Sequence, residues 1–220
     1  MADLQFHTDY GPNDFEAEFG VSRETMAALD RYDQELLETQ AHTNLIARST
    51  IDHRWARHYR DSAQLFTLLP EGARSIVDLG SGAGFPGLIL AAMGLGSRDP
   101  NRGIKVTLVE SIQKKASFLT KAVSNMGLEN VSVVTQRIER SRLTSPDVIT
   151  ARALARLDKL LGYAAPIAAP STLCIFPKGQ DVEDELTEAT KSWHMGVKQV
   201  PSVTNPQSSI LLIEGLKRKT

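Results

Sequence analysis

The residues most capable of chemistry sit in one stretch, Gly80-Ser81-Gly82-Ala83-Gly84-Phe85-Pro86-Gly87, four glycines in eight positions directly after the apolar run Ser75 to Leu79. Glycines there permit positive φ and let the backbone pass close to a ligand, while the helix that follows offers unpaired N–H groups. A nucleotide-like cofactor is the expected occupant. Gly82 to Gly87 also fits the dinucleotide fingerprint, and Glu110 lies 23 residues beyond Gly87, where a ribose-binding acid would stand, so NAD is an alternative. Asp78, placed before the glycines, favours S-adenosylmethionine, because a carboxylate repels pyrophosphate but attracts an ammonium and a sulfonium. Glu110 would then accept from both ribose hydroxyls.

Methyl transfer is an in-line displacement that asks the protein mainly for alignment, so the nucleophile must be sought in sequence traces. Exocyclic amines are generally methylated beside an Asp/Asn-Pro-Pro-aromatic segment after the fourth strand, and pyrimidine carbon 5 by way of a cysteine. Here the segment reads Asp147-Val148-Ile149-Thr150-Ala151-Arg152-Ala153, and the single cysteine, Cys174, stands mid-strand as a small core residue. Neither trace is present, and the nucleophile stays open at this point. His42, His53 and His58 lack accompanying acids or cysteines in a ligating pattern, so no metal is expected. Arg48, Arg54, Arg57 and Arg60, interleaved with His53, Trp55, His58 and Tyr59, form the densest basic and aromatic cluster and suit phosphate contact, although the aromatics serve equally well as core.

The elements that must position these groups follow from periodicity. Ser22 caps a helix reaching residue 40 with Met26, Leu29, Tyr32, Leu36 and Leu37 on one stripe, and a second helical pattern runs from Ile51 to Leu69 before Pro70. Thereafter strands (Ser75–Leu79, Lys105–Glu110, Val131–Thr135, Val148–Ala151, Thr172–Phe176) alternate with helices (Pro86–Met93, Lys114–Met126, Leu157–Ala168, Val182–Trp193). Val197–Val203 and Ser209–Leu216, separated by Thr204 to Gln207 and its flanks, leave no room for a crossover helix and read as a hairpin. The expected fold is α/β: a Rossmann-like class I methyltransferase sheet over 71–220 with a C-terminal antiparallel hairpin, preceded by a helical extension over 1–70.

With 220 residues and 41% apolar side chains, one full core is expected. The net charge of −1 conceals segregation: net −8 over 1–40, +2 over 41–70 and +5 over 71–220. A lone cysteine, a polar acidic start and the lack of any apolar run near the roughly 20 residues of a membrane span predict a soluble, cytoplasmic protein, taken as a monomer. Lys217-Arg218-Lys219 reads as added basic surface or a frayed tail.

From Asn44 to the last strand the chain resembles the RsmG (GidB) family of ribosomal RNA guanine-N7 methyltransferases. The resemblance is carried by Asn44-Leu45-Ile46, Arg57-His58 with Asp61-Ser62, Val77 to Gly87, Glu110-Ser111 with Lys114-Lys115 and Phe118-Leu119, Arg137-Ile138-Glu139, Arg152-Ala153 and Lys178-Gly179. It implies S-adenosylmethionine as cofactor, small-subunit (16S) ribosomal RNA or the small subunit as partner, and no membrane. It also implies Gly80 and Phe85 against the cofactor, with Ser81, Gly82 and Gly84 in the same loop, and Ile138 and Glu139 at the adenine. Arg152 would stand at the methionine end or the guanine, and Arg57 and Lys178, joined by Arg54 and Arg60 of the basic cluster, would face RNA. The guanine N7 that the resemblance implies is nucleophilic without losing a proton and needs a slot with donors to O6, for which Arg152 and Lys178 are the candidates. Departures are Ala151 where serine is common, Ile89 where proline is usual, and a lengthened connection from Gly94 to Gly103.

Overall fold

The computed structural model describes residues 10–95, 103–143 and 145–220, so the first nine residues and most of the Gly94 to Gly103 connection lie outside it. Seven strands form one sheet in the order β3-β2-β1-β4-β5-β7-β6. They are β1 (Ser75–Leu79), β2 (Lys105–Val109), β3 (Val131–Val134), β4 (Val148–Thr150), β5 (Leu173–Lys178), β6 (Trp193–Pro201) and β7 (Ser209–Arg218). Strands β1 to β5 pair in parallel, while β7 runs antiparallel to both β5 and β6. The expected hairpin is present and longer at its open end, β6 starting at Trp193 and β7 reaching Arg218, while β6 stops two residues sooner, at Pro201. Rather than fraying, the basic tail continues β7, with the Lys219 amide on the Ser192 carbonyl (2.8 Å) and the Arg218 guanidinium over the Trp193 ring.

Alternation along the strands divides the core. Ile76, Val106, Leu108, Val148 and Ile175 face one side; Val77, Leu79, Val109, Ile149, Cys174 and Phe176 face the other. Strands buried on both faces need apolar side chains at nearly every position, which is why these segments read as continuous runs. Helices α6 (Leu157–Ala164) and α7 (Val182–Ser192) cover the second face. There Leu157, Leu160, Leu161 and Ala164 of α6 bury one helical stripe. Burial pushes the Cys174 thiol up to about 12, leaving it inert core.

The first face is covered by α4 (Gly87–Met93), α5 (Gln113–Met126) and the N-terminal helices α1 (Pro12–Phe19) and α2 (Arg23–Gln40). Ser22 caps α2 as expected, its hydroxyl accepting from the Thr25 amide at 3.1 Å. Phe15, Leu29, Tyr32 and Leu36 join the same cluster as Leu88 and Phe118, so the extension completes the domain core. The expected single helix over 51–69 is instead broken into a π-helical turn (Trp55–Arg60), one α turn, α3 (Asp61–Ala63), and a 3-10 turn (Phe66–Leu68). Trp55 and Tyr59 stack on each other and are buried, which settles these aromatics as core.

Folding also pairs part of the charge segregated along the chain. Glu18 of the acidic start takes Arg60 (2.8 Å), Asp33 takes Arg54 (2.6 Å) and Glu35 takes Lys121 (2.8 Å). Two acids of the front end are thus counter-charges of arginines in the segment that follows it, and a third of a lysine on α5.

Candidate cofactor and transfer site

The carboxyl ends of the parallel strands meet where the order reverses between β1 and β4, the usual ligand crevice of doubly wound sheets. A cavity of about 760 Å³ opens there, and a second of about 340 Å³ adjoins it. Gly80, Gly82, Lys115, Ala153 and Leu154 line both, so the two are lobes of one cleft.

Gly80 (φ +67°), Gly82 (φ +57°) and Gly84 (φ +101°) all occupy left-handed backbone. Their surroundings differ. A Cβ on Gly80 would fall 2.5 Å from Leu154 Cδ1 in the cleft, whereas one on Gly84 would strike Leu88 and Leu119 in the core. Gly80 and Gly82 therefore floor the cleft, and Gly84, expected at the cofactor, is a packing residue beneath it. Ser81 lines the larger lobe and donates its hydroxyl to the Asp78 carbonyl (3.0 Å).

Asp78 also departs from expectation. It is fully buried on the α4 side of the sheet, lines neither lobe, and accepts from Thr150 Oγ1 through Oδ1 (2.8 Å), while Oδ2 makes no hydrogen bond. Burial pushes its carboxyl up to about 6; the hydroxyls of Ser81 and Thr150 and the charge of Arg152 pull only part of the way back. Its folded value thus exceeds the roughly 3.9 of an unfolded chain, so its contribution to stability is full below about pH 4 and lost as pH rises through about 6. Asp78→Asn is expected to gain on the order of 2–3 kcal/mol over the parent between pH 4 and 8, read from denaturant melts at each pH. A variant that instead loses stability at pH 8 would show that the ionised carboxylate is required.

Glu110 stands at the wall of the smaller lobe, accepting from the Gly82 amide (3.0 Å) and the Ile112 amide (2.7 Å), one on each oxygen. Both oxygens keep a second lone pair for hydroxyl donors. Ile138 and Glu139, in a short 3-10 turn after β3, line the same lobe.

The larger lobe centres on Arg152, just past β4. Its guanidinium donates to the Arg57 carbonyl (3.1 Å), Asp61 Oδ2 (3.3 Å) and His58 Nδ1 (2.8 Å), and lies over the Phe85 ring (5.1 Å). Of the five guanidinium N–H groups, Nε–H and one on Nη2 have no partner among the described residues. Phe85, expected against the cofactor, lines the larger lobe and is largely buried as the platform under Arg152 and His58. Lys178 lines the lobe yet is only 8% exposed, held by Glu185 (2.6 Å) and the Ala155 carbonyl (3.0 Å).

Two expected RNA contacts are committed elsewhere. Asp33 grips Arg54 bidentately (2.6 and 2.7 Å), and Glu18 takes the Arg60 guanidinium, which also covers the Tyr10 ring. Only Arg57 of the expected cationic set in this segment lines the cleft. Sequence reasoning left unassigned His58, Asp61, Leu154 and the hairpin tip with Ser202, Thr204 and Asn205, all of which line the larger lobe. His58 and Asp61 lie in motif segments of the resemblance, a signal that could have found them. The tip gives no local signal, since it is fastened to the site by long-range bonds: Thr204 Oγ1 on Asp61 Oδ1 (2.7 Å), the Val203 amide on Gln64 (2.9 Å) and the Gln64 amide nitrogen on the Ser202 hydroxyl (3.3 Å).

The cradle fits S-adenosylmethionine: a backbone floor where Gly80 cannot gain a Cβ without displacing Leu154, an acid beside it, and two lobes for an elongated molecule. This sheet order with its antiparallel β7, and the cleft at its switch point, define a class I S-adenosylmethionine-dependent methyltransferase. The dinucleotide alternative is set aside. The model of the family rRNA small subunit methyltransferase G matches residues 25–219, and the chain belongs to that family. Ribosomal RNA small subunit methyltransferase G of Rhodospirillum centenum is 48% identical over 198 residues, 90% of this chain and 88% of that protein. Among solved structures, an O-methyltransferase from Bacillus cereus in complex with SAH shares the fold at TM-score 0.55 and 17% identity, over 83% of this chain and 90% of that one. A SAM dependent methyltransferase from Aquifex aeolicus does so at TM-score 0.53 and 19% identity, over 73% and 91%.

Proposed function

We propose that the protein transfers a methyl group from S-adenosylmethionine to N7 of a guanine in small-subunit ribosomal RNA, by positioning and electrostatics and without a dedicated general base. Bound in the cleft, the cofactor supplies an activated methyl on a sulfonium. Gly80 and Gly82 admit it closely, Glu110 accepts from its ribose hydroxyls, and Ile138 with Glu139 borders its adenine. The observation that carries the reading is the state of the acids and the imidazole lining the larger lobe. His58 Nδ1 and Asp61 already accept from Arg152, and Glu185 accepts from Lys178 and the Leu157 amide. Each of these groups is thus already tied to a cation of the lobe wall, and guanine N7, which has no proton to shed, asks nothing further of them.

Arg152 then acts through its two remaining donors. They suit O6 of the base or the carboxylate end of the cofactor; donation to N7 itself would tie up the attacking lone pair. Lys178 holds the segment after Arg152 in place through the Ala155 carbonyl and adds positive charge to the lobe wall.

The test is transfer of labelled methyl to small ribosomal subunits lacking the modification, with the product base mapped after nuclease digestion. Product at a guanine N7, with no single side-chain base in the pH–rate profile near neutrality, is expected. Methylation of an exocyclic amine or a ribose hydroxyl, or no transfer to subunits or free RNA, would overturn the assignment.

A further inference from the structure

We propose that His58 is a positioning residue for the transfer reaction, fixing the Arg152 guanidinium in the cleft as a neutral imidazole whose one proton sits on Nε2. The inference rests on the reading that Arg152 works at the transfer site, but the tautomer is argued from geometry alone.

Two arguments from opposite ends of the ring agree. Arg152 can only donate, so His58 Nδ1, 2.8 Å from Nη2, must be bare. On the far side, Nε2 lies 2.8 Å from Thr50 Oγ1, and that hydroxyl spends its single proton on the Ala47 carbonyl at 2.7 Å. Thr50 must therefore accept from His58, which places the imidazole proton on Nε2. The chain of donors runs from Arg152 through His58 and Thr50 to a backbone carbonyl, with every proton assigned.

Packing holds the ring in that role. His58 stacks on Phe85 (centroids 5.2 Å apart, planes 25° apart), the same ring that lies beneath Arg152. Burial, then the charges of Arg152 and Arg57, push its pKa down to about 3, so it stays neutral under working conditions. The π-helical turn Trp55–Arg60 presents His58 and the Arg57 carbonyl to Arg152 while burying Trp55 and Tyr59. Such turns recur at functional sites, where they re-aim side chains. Asp61, one turn on, ties the same guanidinium to Thr204 of the hairpin tip.

Nitrogen-15 spectra of the full chain, recorded without substrate from about pH 5 to 9, should show His58 protonated on Nε2 only, with no titration. In the transfer assay, His58→Phe keeps the stack on Phe85 but removes the acceptor. It is expected to lower kcat about tenfold, with cofactor Kd within about threefold of the parent. His58→Asn, whose amide oxygen stands near Nδ1, should recover most of that loss. A ring protonated on Nδ1 or on both nitrogens overturns the proposal even if His58→Phe fails to fold, and so does an unchanged kcat in a folded His58→Phe. Failure of the parent protein to methylate subunits would count against the proposed function, and the spectrum would still decide the tautomer.

Discussion

Arg152→Ala is expected to cut methyl transfer by about 100- to 1000-fold, the scale of losing a preorganised donor at a reacting centre. The loss should fall on kcat. Three of its N–H groups are spent on the Arg57 carbonyl, Asp61 and His58, which pins the side chain before substrate arrives, so the remaining two meet the substrate with little ordering left to do. Arg152→Lys separates charge from geometry. An ammonium is a point charge that cannot serve three protein acceptors and still present a planar pair of donors. Its rate should stay within about tenfold of the alanine variant, a margin of about 1.4 kcal/mol. Recovery of the parent rate by lysine would mean that positive charge alone suffices there. Because removing the guanidinium leaves Asp61 and the His58 nitrogen without their donor, melting temperatures must accompany the kinetics.

The surroundings of Arg152 mark where sequence reading succeeds and stops. Strands β1, β2, β4 and β5 were legible because a strand covered on both faces must be apolar almost throughout, β3 at the sheet edge because of its valines, and the glycine loop because three left-handed positions in five residues demand glycine. The α2 helix announced itself by Ser22 and its stripe. The segment after residue 50 did not, since its apolar spacing is helical but tertiary packing chooses the pitch: Trp55 must stack on Tyr59 while His58 and the Arg57 carbonyl turn to Arg152. Helix α1 buries only Phe15, too thin a pattern to read. Arg54 and Arg60 looked free because their acids, Asp33 and Glu18, lie 21 and 42 residues away. Asp78 was placed correctly on β1, but strand alternation alone did not say that its side of the sheet is sealed by α4. Nor does sequence suggest that Ala153, without the freedom of glycine, adopts φ +54° beside Arg152.

Gly80→Ala is expected to weaken cofactor binding by about 10- to 100-fold while leaving the fold intact. Two costs combine. An L-residue at φ +67° pays roughly 1–2 kcal/mol in left-handed strain, and the new methyl would lie 2.5 Å from Leu154 Cδ1. Leu154 ends in a flexible chain and can move, but it lines both lobes at their junction, so the movement displaces volume where the cofactor must pass from one to the other. Gly82→Ala isolates the first cost, because at φ +57° its added Cβ meets nothing nearer than the Gly80 carbonyl at 3.8 Å. Its loss should be no more than about tenfold, as the strain alone allows. The decisive variant is Gly80→Ala with Leu154→Ala, titrated against the cofactor beside each single change. Recovery to the Gly82→Ala level would show that Leu154 is what the absent Cβ makes room for, a coupling between neighbouring residues that a double-mutant cycle measures directly. If the double variant binds as weakly as Gly80→Ala, the backbone of the loop rather than its side-chain neighbour sets cofactor affinity.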